Sequence, residues 1–397
     1  MYLVEQHIIK RNSLLYSELD SMCFLSKNLY NQTLYRVRQH YFETKSYLNK
    51  YELINQLTSE KQIDYISLPR KISQSVIFQV DRNFKAFFGS LKSKLNGTNT
   101  RKIKIPNYID KDGRNILIFN NQSFSTKELK DGYLKLSNCK TKLKVQHTNV
   151  KEVRVIPKGS HYVVEVVYER ETKERKINNN YVGLDLGVNN LITCGGNNIK
   201  PFIINGKPLK SINQYFNKKL SILKSRQDKC NKKVNKQKIS KLYAKRNNKI
   251  KDYLHKSSRI LVNQLVSNNV SKIVIGHNKE WKQDINIGKR NNQNFVQIPF
   301  NQLISMITYK SNLEGIEVIQ REESYTSKCS FIDNEDICKH ENYSGKRIKR
   351  GLYKSKNGKI INADLNGALN ILKKEIPNAF LGYGIEVCNT PVVLTTK

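Results

Sequence analysis

In a chain with 70 lysines and arginines against 33 aspartates and glutamates, one acid stands inside an apolar run: Asp185 in "YVGLDLG". Val182, Leu184 and Leu186 recur with the period of two of a strand, so the carboxylate belongs to that strand or ends it. A buried carboxylate is costly without a partner. A divalent cation is one partner; a turn in which Asp185 is capped by Asn189 or by backbone is another. Gly183 and Gly187 leave room for a backbone or a phosphate to come close.

The segments that follow limit the architecture. Tyr181–Leu186 reads as one strand, Leu191–Thr193 as the next, and "KPFIINGKPL" offers a third. From Ile212 to about Asn269 the chain is lysine-rich and helical, a basic hairpin. "KIVIG" is a short strand, "FNQLISMITYKSNLEG" a helix closed by Gly315, "IEVIQ" another strand and "NADLNGALNILKK" an amphipathic helix. This is the element order of an α/β, ribonuclease-H-like domain. Upstream, "YLVEQHIIKRN" suits a strand, and Ser13–Phe42 and "SQSVIFQVDRNFKAFFGSLKSKL" suit helices, the second preceded by the breaker "LPRKI". Between Lys102 and Tyr168, "KIKIPNYI", "NILIFNN", "LKVQHT" and "EVRVIPKGSHYVVEVVYE" predict strands of a small barrel or mixed sheet.

A formal charge of +37 calls for a polyanionic partner, because each phosphate neutralised releases condensed counterions. No apolar run reaches the roughly 18 residues of a membrane span. The opening "MYLVEQHIIKRNSLLYSELD" is charged throughout, which predicts a cytoplasmic protein rather than an exported one. The seven cysteines are scattered and form no disulfide framework.

A second acid, Asp364, falls in the first turn of the final helix, where it suits a metal or serves as a cap for exposed N–H groups. Metal-assisted phosphodiester chemistry with paired ions needs a third carboxylate. The end of the "KIVIG" strand is the natural place for it, and Gly276 stands there. Glu280 comes four residues later, beyond the strand. Glu322 and Glu323 are better placed, because they end the "IEVIQ" strand expected alongside.

"YVGLDLGVNNLITC", "YTSKCS" and "ADLNGALNILKK", in that order, resemble the TnpB family of transposon-encoded RNA-guided DNA endonucleases, relatives of the compact CRISPR effector nucleases. "LSKNLYNQTLYRVRQHYF" and "QSVIFQVDRNFKAFF" extend the likeness toward the N-terminus. The resemblance implies a RuvC-like nuclease domain (176–325 and 360–380, with a basic helical insertion at 212–258). It also implies a β-barrel-like wedge domain (1–10 and 100–175) with an inserted helical recognition domain (11–99). Residues 326–359 would form a degenerate zinc-ribbon-like loading region and 381–397 a C-terminal tail. Implied partners are a guide RNA from the transposon end and a double-stranded target DNA. The DNA would be cut where it complements the guide, beside a short adjacent motif, with Mg²⁺ or Mn²⁺ as the ion and the prokaryotic nucleoid as the place.

Carried onto this chain, the catalytic, metal-holding residues are Asp185, Glu323 and Asp364. The family's middle glutamate would stand at Gly276; Glu323, three residues before Thr326, is the replacement chosen over Glu322 and Glu280. The family's two Cys pairs are reduced to Cys329, Cys338 and His340, with Asp333, Asp336 or Glu341 nearby, so zinc is not expected. Nucleic-acid contacts are assigned to Asn28, Tyr30, Asn31, Tyr35, Arg38, Gln74 and Arg82 in the first part, to Lys224, Arg226, Lys241 and Arg246 in the helical hairpin, and to Lys346, Arg347 and Arg350 before Asp364. The competing readings are a nuclease-inactive RNA-guided DNA-binding regulator and a guide-independent nucleic-acid-binding structural protein.

Overall fold

The valines of residues 150–169 alternate along two strands, β5 (Val150–Pro157) and β6 (His161–Glu169), which pair antiparallel. Gly159 turns the chain between them at a positive φ of 71°, a conformation glycine adopts without steric cost. The computed structural model describes residues 1–98, 101–230, 236–278 and 288–396. The chain divides into two units, Met1–Glu171 and Thr172–Lys397.

In the first unit, β1 (Tyr2–Lys10) pairs with β6 along its whole length and β2 (Leu117–Asn120) pairs with β5, giving the order β1-β6-β5-β2. Four helices lie between β1 and β2 in the chain: α1 (Leu14–Thr44), α2 (Lys50–Ser59), α3 (Ile63–Ile66) and α4 (Arg70–Leu95). Pro69 precedes α4, where a missing N–H costs nothing. Leu19, Leu29 and Leu34 of α1 and Val80 and Phe84 of α4 are fully buried in a core shared with Val153 and Val164 of the sheet.

Two expected strands change. "KIKIPNYI" forms none: Pro106 lacks a ladder donor, and the Asn31 amide takes both the N–H and the C=O of Ile109 at 2.9 Å. "LKVQHT" shrinks to β4 (Leu143–Lys144), which pairs with β3 (Tyr133–Leu134) after a short helix α5 (Thr126–Lys130).

The second unit is built on a six-stranded sheet of order β11-β10-β7-β8-β9-β15. β7 (Tyr181–Leu186), β8 (Asn190–Gly196) and β9 (Phe202–Asn205) run as an antiparallel meander. Helices α6 (Lys207–Cys230) and α7 (Lys236–Ser267) then lead to β10 (Lys272–Gly276), parallel to β7. After α8 (Lys289–Val296) and α9 (Phe300–Leu313), β11 (Glu317–Arg321) lies parallel to β10. A small sheet of β12 (Lys346–Lys349), β13 (Leu352–Lys354) and β14 (Ile360–Asn362) delivers the chain to α10 (Ala363–Glu375). Within the segment read as a tail, β15 (Val392–Leu394) extends the sheet beside β9. An antiparallel meander extended by two parallel strands is the ribonuclease-H-like arrangement.

Helix α10 crosses the middle of this sheet. Gly183 and Gly195 face each other in the β7–β8 ladder. A Cβ at Gly183 would collide with the Ala368 carbonyl, and one at Gly195 would reach Leu365 Cδ1 at 2.5 Å. The two glycines bring the helix, and Asp364 at its start, down onto the strand that carries Asp185.

Candidate active site

Parallel pairing of β10 with both β7 and β11 fixes where the acids meet. Ile275 is opposite Leu184 on one side, and Gly276 is opposite Arg321 on the other. One residue further on β7 is Asp185, and two beyond Arg321 is Glu323. A Cβ built on Gly276 would lie 2.8 Å from Glu323 Oε2 and 2.5 Å from Ile371 Cδ1. The Glu323 carboxylate therefore occupies the space that a side chain at 276 would need. Asn278, just past β10, holds it there: its Oδ1 accepts from the Glu323 N–H at 3.0 Å, and its Nδ2 lies 3.5 Å from Glu323 Oε1. The turn behind Glu323 is tied by Thr326, whose hydroxyl donates to the Glu323 carbonyl at 2.8 Å. Buried Asn366 and Asn370 of α10 donate to the carbonyls of Thr326 and Cys329, binding that turn to the helix.

Glu322 points elsewhere. Its carboxylate pairs with Lys374 at 2.7 Å on the exposed side, and that hydrogen bond holds its pKa below the ordinary carboxylate value. Glu280 lies outside the described residues.

Asp364 does not cap α10. Asn362 does so, accepting from the N–H groups of Asp364 and Leu365 at 3.0 and 3.1 Å, which leaves the Asp364 side chain available. Asn190 Nδ2 donates to Asp364 Oδ2 at 2.7 Å, and Arg347 Nη2 to Oδ1 at 3.0 Å. Asp185 is half-buried, and a Cβ at Gly367 would come within 2.9 Å of its Oδ2. Burial, then the charges of Asp364 and Glu323, push the Asp185 carboxyl well above the usual carboxylate range, with Arg347 opposing. Burial, then the Glu322 charge, raises Glu323 to about 7.

A carboxyl raised by neighbouring carboxylates is relieved by a proton or by a cation. Arg347, on exposed β12, supplies one next to Asp364. Among the described residues no group of three or more His, Cys, Asp or Glu side chains is gathered closely enough to hold an ion; Asp364 is turned toward Asn190 and Arg347 instead. The donor set itself, three carboxylates and no sulfur or imidazole, suits a hard divalent ion.

The loop between Thr326 and β12 carries the soft candidates. Cys329 is buried with Sγ 3.6 Å from the Cys338 carbonyl, whereas exposed Cys338 has its Sγ 3.3 Å from His340 Nε2. Glu335, only 8 % exposed, links the loop: its carboxylate accepts from Ser330 N at 2.7 Å and from Ser344 N at 2.8 Å. Asp333 accepts from Ser330 Oγ and from Lys356 N. Phe331 packs edge-on against Phe380 at 4.8 Å.

The nucleic-acid candidates separate by exposure. Lys224, Arg226, Lys241, Lys346, Arg347 and Arg350 are exposed, as are Tyr35 and Arg82. Arg38 lies over Tyr108, and Asn28 and Gln74 are half-buried. Tyr30 is buried and accepts from Asn83, and Asn31 has both ends of its amide engaged by Ile109. Sequence reasoning missed Asn190, Asn278 and Glu335. Asn190 was visible only as part of the "VNN" turn, and the other two carried no pattern of their own.

Two family models match the chain. OrfB_IS605, described as "Probable transposase", matches residues 161–282, and the Cas12f1-like TNB domain matches residues 300–371. A search of curated proteins finds no match. Among solved structures, a cryo-EM structure of a Cas12f1–sgRNA–target DNA complex aligns over 91 % of this chain and 83 % of that one, with a TM-score of 0.57 and 16 % identity. The mini-RNA-guided endonuclease CRISPR-Cas_phi3 aligns over 98 % and 94 % at 9 % identity, with a TM-score of 0.45. The two family matches lie in chain order over the segments that carry Asp185, Glu323 and Asp364, and they support a TnpB-like family for a chain of this fold.

Proposed function

We propose that the protein is an RNA-guided, divalent-metal-dependent DNA endonuclease of a transposon, cutting double-stranded DNA that complements a guide RNA from the transposon end, beside a short adjacent motif. The observation that carries this reading is the seating of Glu323 in the space at Gly276, facing the strand that bears Asp185. A chain that had merely lost its middle carboxylate would have no reason to fill that space with another.

Asp185, Glu323 and Asp364 would hold Mg²⁺ or Mn²⁺, which when bound supplies Lewis-acid stabilisation of charge on the phosphodiester under attack. Asp185 is fixed by the β7 ladder and Glu323 by Asn278. Asp364 is presented by a helix whose N-terminus is already capped, and Asn190 orients it. Arg347 supplies the counter-charge of Asp364, and its exposed position at the rim would suit a phosphate of an incoming strand where a cation takes over that carboxylate. The exposed lysines and arginines of α6 and α7 bind backbone phosphates of a guide or hybrid, whose sequence the protein does not need to read. The Cys329–His340 loop works without zinc, held by Glu335 and by Phe331.

The test is cleavage. The full chain, assembled with RNA transcribed from its own transposon end and given matching DNA in Mg²⁺, cuts; Glu323→Gln does not, and Glu322→Gln does. Binding of matching DNA with no cutting by the wild type, across Mg²⁺ and Mn²⁺ and a library of adjacent motifs, supports the regulator instead.

A further inference from the structure

Helices α6 and α7 enclose a cavity of about 260 Å³ lined by Tyr215, Phe216, Leu242, Lys245, Arg246 and Lys249 among others. A second cavity of about 780 Å³ adjoins it and shares Phe216 and Arg246 as walls. The aromatic side is built: Phe216 is buried, Tyr243 meets it in a T-shaped contact at 4.8 Å, and Tyr243 and Tyr215 keep 43 % and 57 % of their surface exposed. The polar side is cationic. Arg246 lies over the Phe216 ring at 5.6 Å and, among the described residues, gives its donors to neutral groups: Asn213 Oδ1, Asn247 Oδ1 and the Gln297 carbonyl. No aspartate or glutamate lines either cavity, and among the described residues neither Arg246 nor Lys245 nor Lys249 has an acidic partner. Asn213, fully buried beside Arg246, leaves its amide nitrogen without a partner among the described residues.

A half-buried guanidinium without a counter-ion is an anion site waiting for its anion, and here it is placed against a stacking surface. We propose that the α6–α7 cavity captures a single unstacked nucleotide of a bound strand, its base against the exposed rings of Tyr243 and Tyr215 and its phosphate on Arg246, Lys245 and Lys249. This rests on the nucleic-acid-binding part of the proposed function and not on its cleavage chemistry. Stacking on an aromatic face tolerates any base, so the site grips a strand at one point without reading its sequence. DNA and RNA share the chemistry this site uses, and the experiment separates them.

The full chain is irradiated with short single-stranded DNA and RNA probes carrying 5-iodouracil, which couples to aromatic side chains, and the cross-linked peptides are mapped by mass spectrometry. Cross-links at Tyr243 or Tyr215 are expected, and the probe that gives them identifies the strand type. Binding is then measured by anisotropy for Tyr243→Ala, an exposed position that leaves the core intact. It weakens a normal DNA probe about tenfold, but an abasic probe of the same length by less than twofold. Lys249→Ala weakens both probes equally and lowers the salt slope by about one. Absence of cross-links on α6 and α7, or equal losses on normal and abasic probes for Tyr243→Ala, overturns the proposal. Guide-dependent cutting enters none of these readouts, so a failure here and a failure of the nuclease reading are told apart.

Discussion

The carboxylate centre and the Cys329–His340 loop both depart from the pattern their family resemblance implies, and they respond in opposite ways. At the centre the space at Gly276 is filled by the Glu323 carboxylate from beyond the neighbouring strand. In the loop, where the sequence keeps only Cys329, Cys338 and His340, a buried carboxylate, Glu335, ties the chain through backbone N–H groups. The difference follows from what each site requires. A hard ion responds to where oxygens stand, and two adjacent parallel strands can present a carboxylate to nearly the same point. A structural zinc needs four soft donors in a tetrahedron, but its mechanical role needs only that two segments be held together.

If the chemistry is at the centre, removing a carboxylate there has the largest effect. Asp185→Asn and Glu323→Gln each lower guided cleavage by more than about a hundredfold, beyond the usual cost of changing a group that only supports a ligand, whereas Glu322→Gln stays within about threefold because its partner is Lys374 on the surface. A gel assay under single-turnover conditions checks this. Gly276→Ala comes next: the added methyl meets Glu323 Oε2 and Ile371 Cδ1, so thermal or chemical melting shows a loss of about 1–3 kcal/mol and cutting falls with it.

The pH response has a definite sign. Glu323 is raised to about 7 in the metal-free fold, so its protonated form favours the native state. That contribution is complete below the unfolded value near 4.5 and is lost as pH climbs through about 7; Asp185 acts in the same direction. The metal-free protein therefore melts lower at pH 8 than at pH 5.5, Mn²⁺ reverses the loss above pH 7, and Glu323→Gln flattens the profile. Chelation by EDTA stops cutting but leaves the loop protected.

Loop changes are smaller. Glu335→Ala leaves the N–H of buried Ser330 and that of half-buried Ser344 without their carboxylate partner, which costs about 1–3 kcal/mol and opens residues 326–349 to limited proteolysis. Cys338→Ser, at an exposed position, changes stability by no more than about 0.5 kcal/mol.

Much of the nuclease-type sheet was legible, because β7, β8 and β10 are short apolar runs with consecutive buried residues, which leaves them little choice. The final helix was equally plain, since its apolar spacing and its glycine and asparagine pattern match a face pressed onto the sheet. "KIKIPNYI" misled because alternation says nothing about Pro106 or about an Asn31 amide, 78 positions away, that takes the backbone of Ile109. β15 escaped notice because three residues form a strand only when β9 is beside them. At the site, the vacancy at Gly276 pointed to Glu323, whereas Asn190 and Asn278 carry no signal until folding brings them to the carboxylates. Arg347 was read as a nucleic-acid contact, and the structure adds its ion pair with Asp364. Glu335 went unnamed among the loop acids because only the closed loop brings Ser330 and Ser344 to it.

The claim that Glu323 has taken over the place left at Gly276 is tested most directly by Mn²⁺ binding to the guide-free protein, followed by electron paramagnetic resonance. Glu323→Gln keeps shape and removes one charge; with Glu322→Gln as the control, the account predicts that the first weakens binding more than about tenfold and the second leaves it unchanged. Equal affinity for the wild type and Glu323→Gln, or a matching loss in Glu322→Gln, contradicts it.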